Sequence, residues 1–258
     1  MTVTLTMTWN PRGETERFRR FYPEFSRWYH GVSIVTPPDP DLQAVDMLET
    51  FPEIRVLTGG DWVTGRQLAL EMALGFDAEY VHYVDCDRLL RWFELYPAEL
   101  RATIATIQSA DCVVIGRTQA ALDTHPRCLK DTEAITNEVF SNLLGQPLDL
   151  AAGSKAFSRG ATEFLVRYSR PSHGWCTDAE WIVLLHRAGC SIQSLLVDGL
   201  DWETADRYLP HAADAETQRR GAEAYDADPQ NWVSRVRLAH ESIQAGFAAM
   251  ERTLEGVS

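Results

Sequence analysis

Two aspartates one residue apart, Asp85 and Asp87, close the run Tyr80 to Val84 in the stretch YVHYVDCDRLLRW. Tyr80, Val81, Tyr83 and Val84 are aromatic or β-branched, the composition of a buried strand, so the two carboxylates fall where that strand should end. In an extended segment residues i and i+2 point to one side, and the spacing predicts that Asp85 and Asp87 converge on one target. Like charges that close are costly unless a positive group stands between them. A hard divalent cation bridging to a phosphate-bearing substrate meets that need. The plainer reading of so short a pattern is a pair of solvated acids in a surface turn.

Two further stretches carry chemistry. Arg66 follows Gly65 at the start of a helix predicted over residues 65–76, with Thr64 as its N-cap. A helix N-terminus favours phosphate and a guanidinium adds a bidentate grip; the alternative is a solvated arginine on a helix face. In GWCTDAEW, residues 174–181, Thr177 and Glu180 have the spacing of a capping box, Thr at N-cap and Glu at N3. That explanation leaves Asp178 without a structural task. Of the seven histidines, His82 lies in the strand and is expected to be packed there.

The elements that must position these residues alternate. Strands are predicted over residues 3–8, 31–35, 54–57, 80–84 and 112–116, with helices over 14–29 (interrupted by Pro23), 41–50, 65–76 and from Pro97 onward. Such alternation builds a mostly parallel α/β sheet, in which ligands sit beyond the carboxyl ends of the strands, where Asp85 and Asp87 fall. The second half is less regular: helices over 131–144 and 178–188, a glycine-led short strand and turn over 153–159, and a strand over 192–197. Asp226-Ala227-Asp228-Pro229 reads as a hinge, dividing the chain into a domain of residues 1–225 and a C-terminal segment of residues 226–258. A long helix over 233–254 in that segment carries Val236, Ile243, Phe247, Met250 and Leu254 on one stripe. The stripe is expected to dock on the domain or to pair with a second copy as a homodimer.

Composition narrows the partners. With 258 residues the chain is long enough for a real core, and 45% hydrophobic with 24% charged residues is ordinary for a globular enzyme. The formal charge, 24 − 37 = −13, disfavours nucleic acid and anionic lipid, so an anionic small substrate needs a local cluster of arginine, lysine or metal. Five cysteines without C-x-x-C spacing argue against a zinc ribbon or disulfide framework and suit a reducing compartment. No basic-then-apolar leader and no apolar run of about 20 residues is visible, so a cytoplasmic protein without integral membrane association is expected.

The ordered set YVHYVDCDRLL, GSKAFSR and GWCTDAEWIVLLHRAG resembles the nucleotide-sugar glycosyltransferases of the GT-A fold, the large family that includes the polyprenyl-phosphate sugar synthases. The resemblance covers roughly residues 2–197 and lacks the family's Q-x-x-R-W signature of processive members. It implies a Rossmann-like, mostly parallel central sheet flanked by helices, with a C-terminal helical extension. It also implies a nucleoside-diphosphate-sugar donor, a small soluble acceptor, and Mg²⁺ or Mn²⁺ to neutralise the leaving diphosphate. Carried onto this sequence, Asp85 faces the donor nucleotide or the metal, and Asp87 binds the metal. His211, on the irregular loop after the last strand, completes the metal site as an imidazole ligand. Thr8, Trp9, Asp39, Gly60 and Arg66 contact the donor; Gly153, Ser154, Lys155 and Trp175 contact the sugar or acceptor. Asp178, with Glu180 second, is the base that deprotonates the acceptor hydroxyl. Transfer to a polyprenyl phosphate, sugar-phosphate nucleotidyl transfer, and a catalytically inactive nucleotide-sugar binding module are the alternatives.

Overall fold

Seven strands form one sheet: β1 Val3–Thr8, β2 Gly31–Thr36, β3 Ile54–Thr58, β4 Tyr80–Val84, β5 Cys112–Arg117, β6 Ser154–Ser158 and β7 Ile192–Val197. The structure, a computed structural model, describes residues 1–61, 63–172 and 175–254; Gly174 of the GWCTDAEW stretch lies outside them. The strand order is β3-β2-β1-β4-β6-β5-β7. β6 runs antiparallel to both its neighbours, and every other pairing is parallel. The carboxyl ends of β1, β2 and β4 therefore share an edge with the beginning of β6. That edge lies where the chain order reverses about β1, the position at which α/β sheets open a crevice.

The helices are α1 Thr15–Phe25, α2 Leu42–Glu49, α3 Gly65–Ala73, α4 Cys86–Leu95, α5 Pro97–Thr106, α6 Gln119–Asp123, α7 Arg127–Leu144, α8 Arg159–Tyr168, α9 Thr177–Arg187, α10 Ala215–Ala227 and α11 Pro229–Glu251. Both faces of the sheet are covered, the second by a core that includes Val35, Val81, Tyr83, Val114 and Phe157, so β1 can carry threonines there without wetting them. Val3, Leu5 and Met7 of β1 enter one core with Phe18, Phe25, Leu89 and Trp92. The alternate residues Thr4 and Thr6 are equally buried. Thr6 donates to the Ala69 carbonyl of α3 at 2.7 Å and accepts from Ser33 at 2.8 Å, so its hydroxyl is satisfied inside.

Four local readings are corrected. β4 ends at Val84, and α4 begins at once with Asp85 as its extended N-cap residue and Asp87 in its first turn. The pair is thus presented by a strand-to-helix corner, not by an extended segment. The helix expected over 14–29 ends at Phe25 and tightens into a 3-10 turn, Ser26–Trp28, just after Pro23. Thr64 stands at the N-cap of α3 without capping it. Asp61 Oδ1 instead gathers the Thr64 amide and hydroxyl, each at 2.7 Å, and the Val63 amide at 3.0 Å. The capping box does not form: Cys176 is the N-cap residue of α9 and makes no side-chain cap.

α11 lies along α7 and α9. Gly246 lets it approach Phe140, whose ring leaves no room for a Cβ, and Ala249 is fully buried. Arg187 of α9 donates to the carbonyls of Ala249 and Arg252. Val236 and Phe247 keep about half their surface exposed, at 57% and 49%. Among the described residues no helix is long and apolar enough to cross a membrane.

Candidate active site

A cavity of about 440 Å³ opens at the shared sheet edge. Thr8 and Trp9 enter it from β1, Val35 and Pro37 from β2, and Gly60, Asp61 and Arg66 from the turn into α3. Asp85 and Asp87 form its floor with Arg88, while Trp175, Glu203, Thr204, Arg207 and Arg235 come from the second half of the chain.

Asp85 is a hub rather than an open ligand. Its Oδ1 accepts from the Tyr83 hydroxyl at 2.6 Å and from Thr8 at 3.2 Å, and its Oδ2 accepts from Arg66 at 3.1 Å. Gly153 makes the hub possible. It has φ +73°, and a Cβ on it would stand 2.9 Å from Asp85 Oδ2 and 2.7 Å from Arg88 Nε. Arg66 reaches from the hub to Asp178 Oδ1 at 3.0 Å, lying over the rings of Tyr83 and Trp175 at 5.6 and 5.5 Å. Burial alone would lower the Arg66 pKa, but the Asp85 and Asp178 carboxylates outweigh it and hold the guanidinium firmly protonated.

Asp87 is in a different state. Its Oδ1 accepts the Arg88 amide at 2.9 Å, a contact within the helix start. Burial first, then the neighbouring Glu203 and Asp85 carboxylates, push its carboxyl up to about 7. Glu203 is held in place by its own loop: Arg91 grips Asp201 with two bonds of 2.7 Å and Asp206 with one of 2.6 Å, and Arg17 pairs with Asp206 at 3.1 Å. Among the described residues no three His, Cys, Asp or Glu side chains stand close enough to hold a metal unaided. Two carboxylates on one wall nevertheless suit Mg²⁺ or Mn²⁺, because a hard cation of this kind takes one or two protein carboxylates and fills its remaining positions with phosphate oxygens and water.

The structure brings Thr8, Trp9, Gly60, Arg66, Asp85, Asp87 and Trp175 to the cavity, and it separates the other expected residues from it. Asp178 is buried, and its Oδ1 accepts from Lys155 at 2.8 Å as well as from Arg66. Burial would raise its carboxyl, yet Lys155 and Arg66 hold it below the usual range. It stands as the counter-ion of Lys155 and Arg66. Glu180 is also buried, accepting from Ser169 at 2.6 Å, the Arg170 amide at 2.8 Å and Arg252 at 2.5 Å, and so it ties α9 to the end of α11. Lys155 and Ser154 lie in β6 between β4 and β5; Lys155 is spent on Asp178 and the Leu150 carbonyl, and Ser154 on His82. Asp39 is exposed beyond Pro37 and outside the cavity wall. His211 is exposed as well, with Nδ1 facing the Ala212 carbonyl at 3.0 Å.

Among the cavity residues that escaped the sequence reading are Arg12, Glu203, Arg207 and Arg235. Burial first, and then the nearby charge of Arg12, lower the Arg207 pKa, against the Asp87, Glu203 and Glu14 carboxylates, which raise it. Arg235 of α11 stacks on Trp175 at 5.0 Å, opposite in sequence to Arg66 but on the same indole. The sole sequence signal for the loop was its density of acids, Asp201, Glu203 and Asp206, after the last strand.

The fold is the GT-A fold of nucleotide-sugar glycosyltransferases. The chain superposes on solved structures of glucosyl-3-phosphoglycerate synthase from Mycobacterium tuberculosis. One, in complex with Mn²⁺, UDP and phosphoglyceric acid, gives a TM-score of 0.59 at 12% identity over 99% of this chain and 80% of that one. Another, with Mn²⁺, UDP-glucose and phosphoglyceric acid, gives 0.58 at 13% identity over 99% and 82%. No protein-family model and no curated protein sequence matches the chain.

Proposed function

We propose that this protein is a metal-dependent glycosyltransferase, moving a sugar from a nucleoside-diphosphate sugar to a hydroxyl of a small acidic acceptor. The observation that carries the reading is the junction of β4 and α4, which puts Asp85 and Asp87 into one cavity at the carboxyl edge of a GT-A sheet. The solved structures of the same fold, bound to UDP, UDP-glucose and a phosphoglyceric acid, support the choice of donor and acceptor class.

The chain's own residues divide the work. Thr8, Trp9, Val35 and Pro37 wall the end of the cavity that suits a nucleoside, and Gly60 and Gly65 keep the entrance to α3 open. Arg66, at the N-terminal turn of α3, offers positive charge to a diphosphate, with the helix dipole adding to it. Asp87 and Glu203 face the cavity as the carboxylates suited to a divalent cation. That cation, when bound, supplies the positive charge that stabilises the departing diphosphate. Asp178 touches no reactant; through Arg66 it positions the cationic wall. Arg12 and Arg207 both line the cavity and bring positive charge that suits an acidic acceptor, with Asp87, Glu203 and Glu14 the carboxylates near Arg207.

Asp87→Asn tests the reading directly. It keeps the shape of the helix start and removes the charge. We expect an intact fold, retained within a few degrees in melting temperature, and loss of Mn²⁺-dependent donor binding by calorimetry. Undiminished Mn²⁺-dependent binding in Asp87→Asn removes the basis of the proposal.

A further inference from the structure

We infer that Glu203 is the partner of Asp87 in holding the divalent cation, a role that falls to the loop after β7 and not to the first aspartate of the Asp85-Cys86-Asp87 pair. The inference rests on the metal-dependent reading above and specifies its site.

Asp85 is already engaged on both oxygens by Tyr83, Thr8 and Arg66, so ligation by it requires breaking hydrogen bonds that include a charged one. Glu203 is the opposite case. It is 8% exposed, lines the same cavity, and its Oε2 has no hydrogen-bond partner. The nearest cation, Arg88, stands 3.8 Å from it and spends that same nitrogen on the Ala152 carbonyl at 2.9 Å. A buried carboxylate oxygen left in this state is expensive unless a ligand completes it.

The ion pairs leave Asp87 out: Arg66, Arg88 and Lys155 pair with Asp85, Asp178 and Glu203, while Arg207 is a further cation that feels both Asp87 and Glu203. The salt bridges from Arg91 to Asp201 and Asp206 fix the loop from behind, so Glu203 is presented on a braced support. An all-oxygen pair selects hard cations over zinc, and two ligands are too few for tight binding alone. A cation held by Asp87 and Glu203 would therefore draw its remaining oxygens from the diphosphate and water.

The test is Mn²⁺ binding by full-length protein, read from the paramagnetic resonance signal of free Mn²⁺, in the presence of saturating UDP, GDP, CDP or dTDP. Wild type should take up Mn²⁺ with at least one of them and weakly without any. Glu203→Gln and Asp87→Asn should each weaken that uptake by at least about tenfold. Loss in Asp87→Asn with wild-type affinity in Glu203→Gln overturns the role of Glu203 and leaves the metal-dependent reading standing. No uptake by wild type with any of the four overturns both. If Glu203→Gln does not fold, Glu203→His decides: imidazole in a ligand position shifts the ratio of Zn²⁺ to Mn²⁺ affinity toward zinc by about tenfold or more, and an unchanged ratio overturns the inference.

Discussion

Arg66 donates to Asp85 Oδ2 at 3.1 Å, so the first aspartate of the Asp85-Cys86-Asp87 pair is neutralised by the protein itself. The second is not. Asp87 accepts a backbone amide within its own helix start, and burial with the Glu203 and Asp85 carboxylates outweighs the nearby Arg88, an arrangement that further positive charge would relieve. The two aspartates thus stand in different surroundings, one paired with Arg66 and one facing the cavity without an ion pair of its own.

Asp178 gives the sharpest contrast between the two roles open to a carboxylate here. As the counter-ion of buried Lys155 and Arg66, its replacement by Asn leaves two cations short of one charge. We expect Asp178→Asn to lose about 3–5 kcal/mol of stability, the cost of breaking a buried pair from one side, in urea denaturation. A variant that melts like wild type and yet loses turnover a hundredfold or more would make Asp178 the base after all.

Gly153 faces Asp85 in the left-handed region. Gly153→Ala should cost about 1–2 kcal/mol from backbone conformation alone, and more from the contact with Asp85 and Arg88. Donor binding should weaken with it, because the methyl group displaces Asp85 from Arg66. Unchanged melting temperature and unchanged donor affinity together would show that the corner tolerates a side chain.

How far the sequence reveals this site depends on the range of the interactions involved. The strands were legible because alternation and β-branched composition are local, and the Asp85-Cys86-Asp87 pair was legible because it ends one of them. The start of α4 was obscured by its closeness to β4: no turn residue separates Val84 from Cys86, and Asp85 alone makes the corner. The sequence points to the loop after β7 through His211, whereas Glu203, Thr204 and Arg207 are the loop residues that line the cavity. That loop has no periodicity, and its path is set by Arg91 and Arg17, more than a hundred residues earlier in the chain, which place Glu203 inward and leave His211 outside. Asp178 and Glu180 looked free because their partners, Lys155, Arg66, Ser169 and Arg252, are brought to them only by the folded sheet and α11.

His82 sets a pH dependence. It is fully buried between Tyr29, at 2.9 Å from Nδ1, and Ser154, at 3.0 Å from Nε2, and burial pushes its pKa down to about 3. In the unfolded chain it titrates near 6.5. Between those values the unfolded state binds the extra proton, so stability falls as pH falls, by about 1.4 kcal/mol per pH unit for one such group. Above about 6.5 the contribution is complete. His125, also buried and lowered, adds in the same direction. His82→Gln should therefore reduce the slope of unfolding free energy against pH between about 5 and 6 by close to one proton; an unchanged slope would mean that His82 is protonated in the native protein.

The central claim is that the cavity at the carboxyl edge of the sheet binds a nucleoside-diphosphate sugar through a divalent cation. Calorimetric titration of the full-length protein with UDP-, GDP-, CDP- and dTDP-glucose, each with and without Mn²⁺, tests it most directly. The account predicts that at least one donor binds about tenfold or more tightly when Mn²⁺ is present, and that Asp87→Asn abolishes the difference. Binding of nucleoside triphosphates in place of every diphosphate sugar, or equal donor affinity with and without the metal, would contradict it.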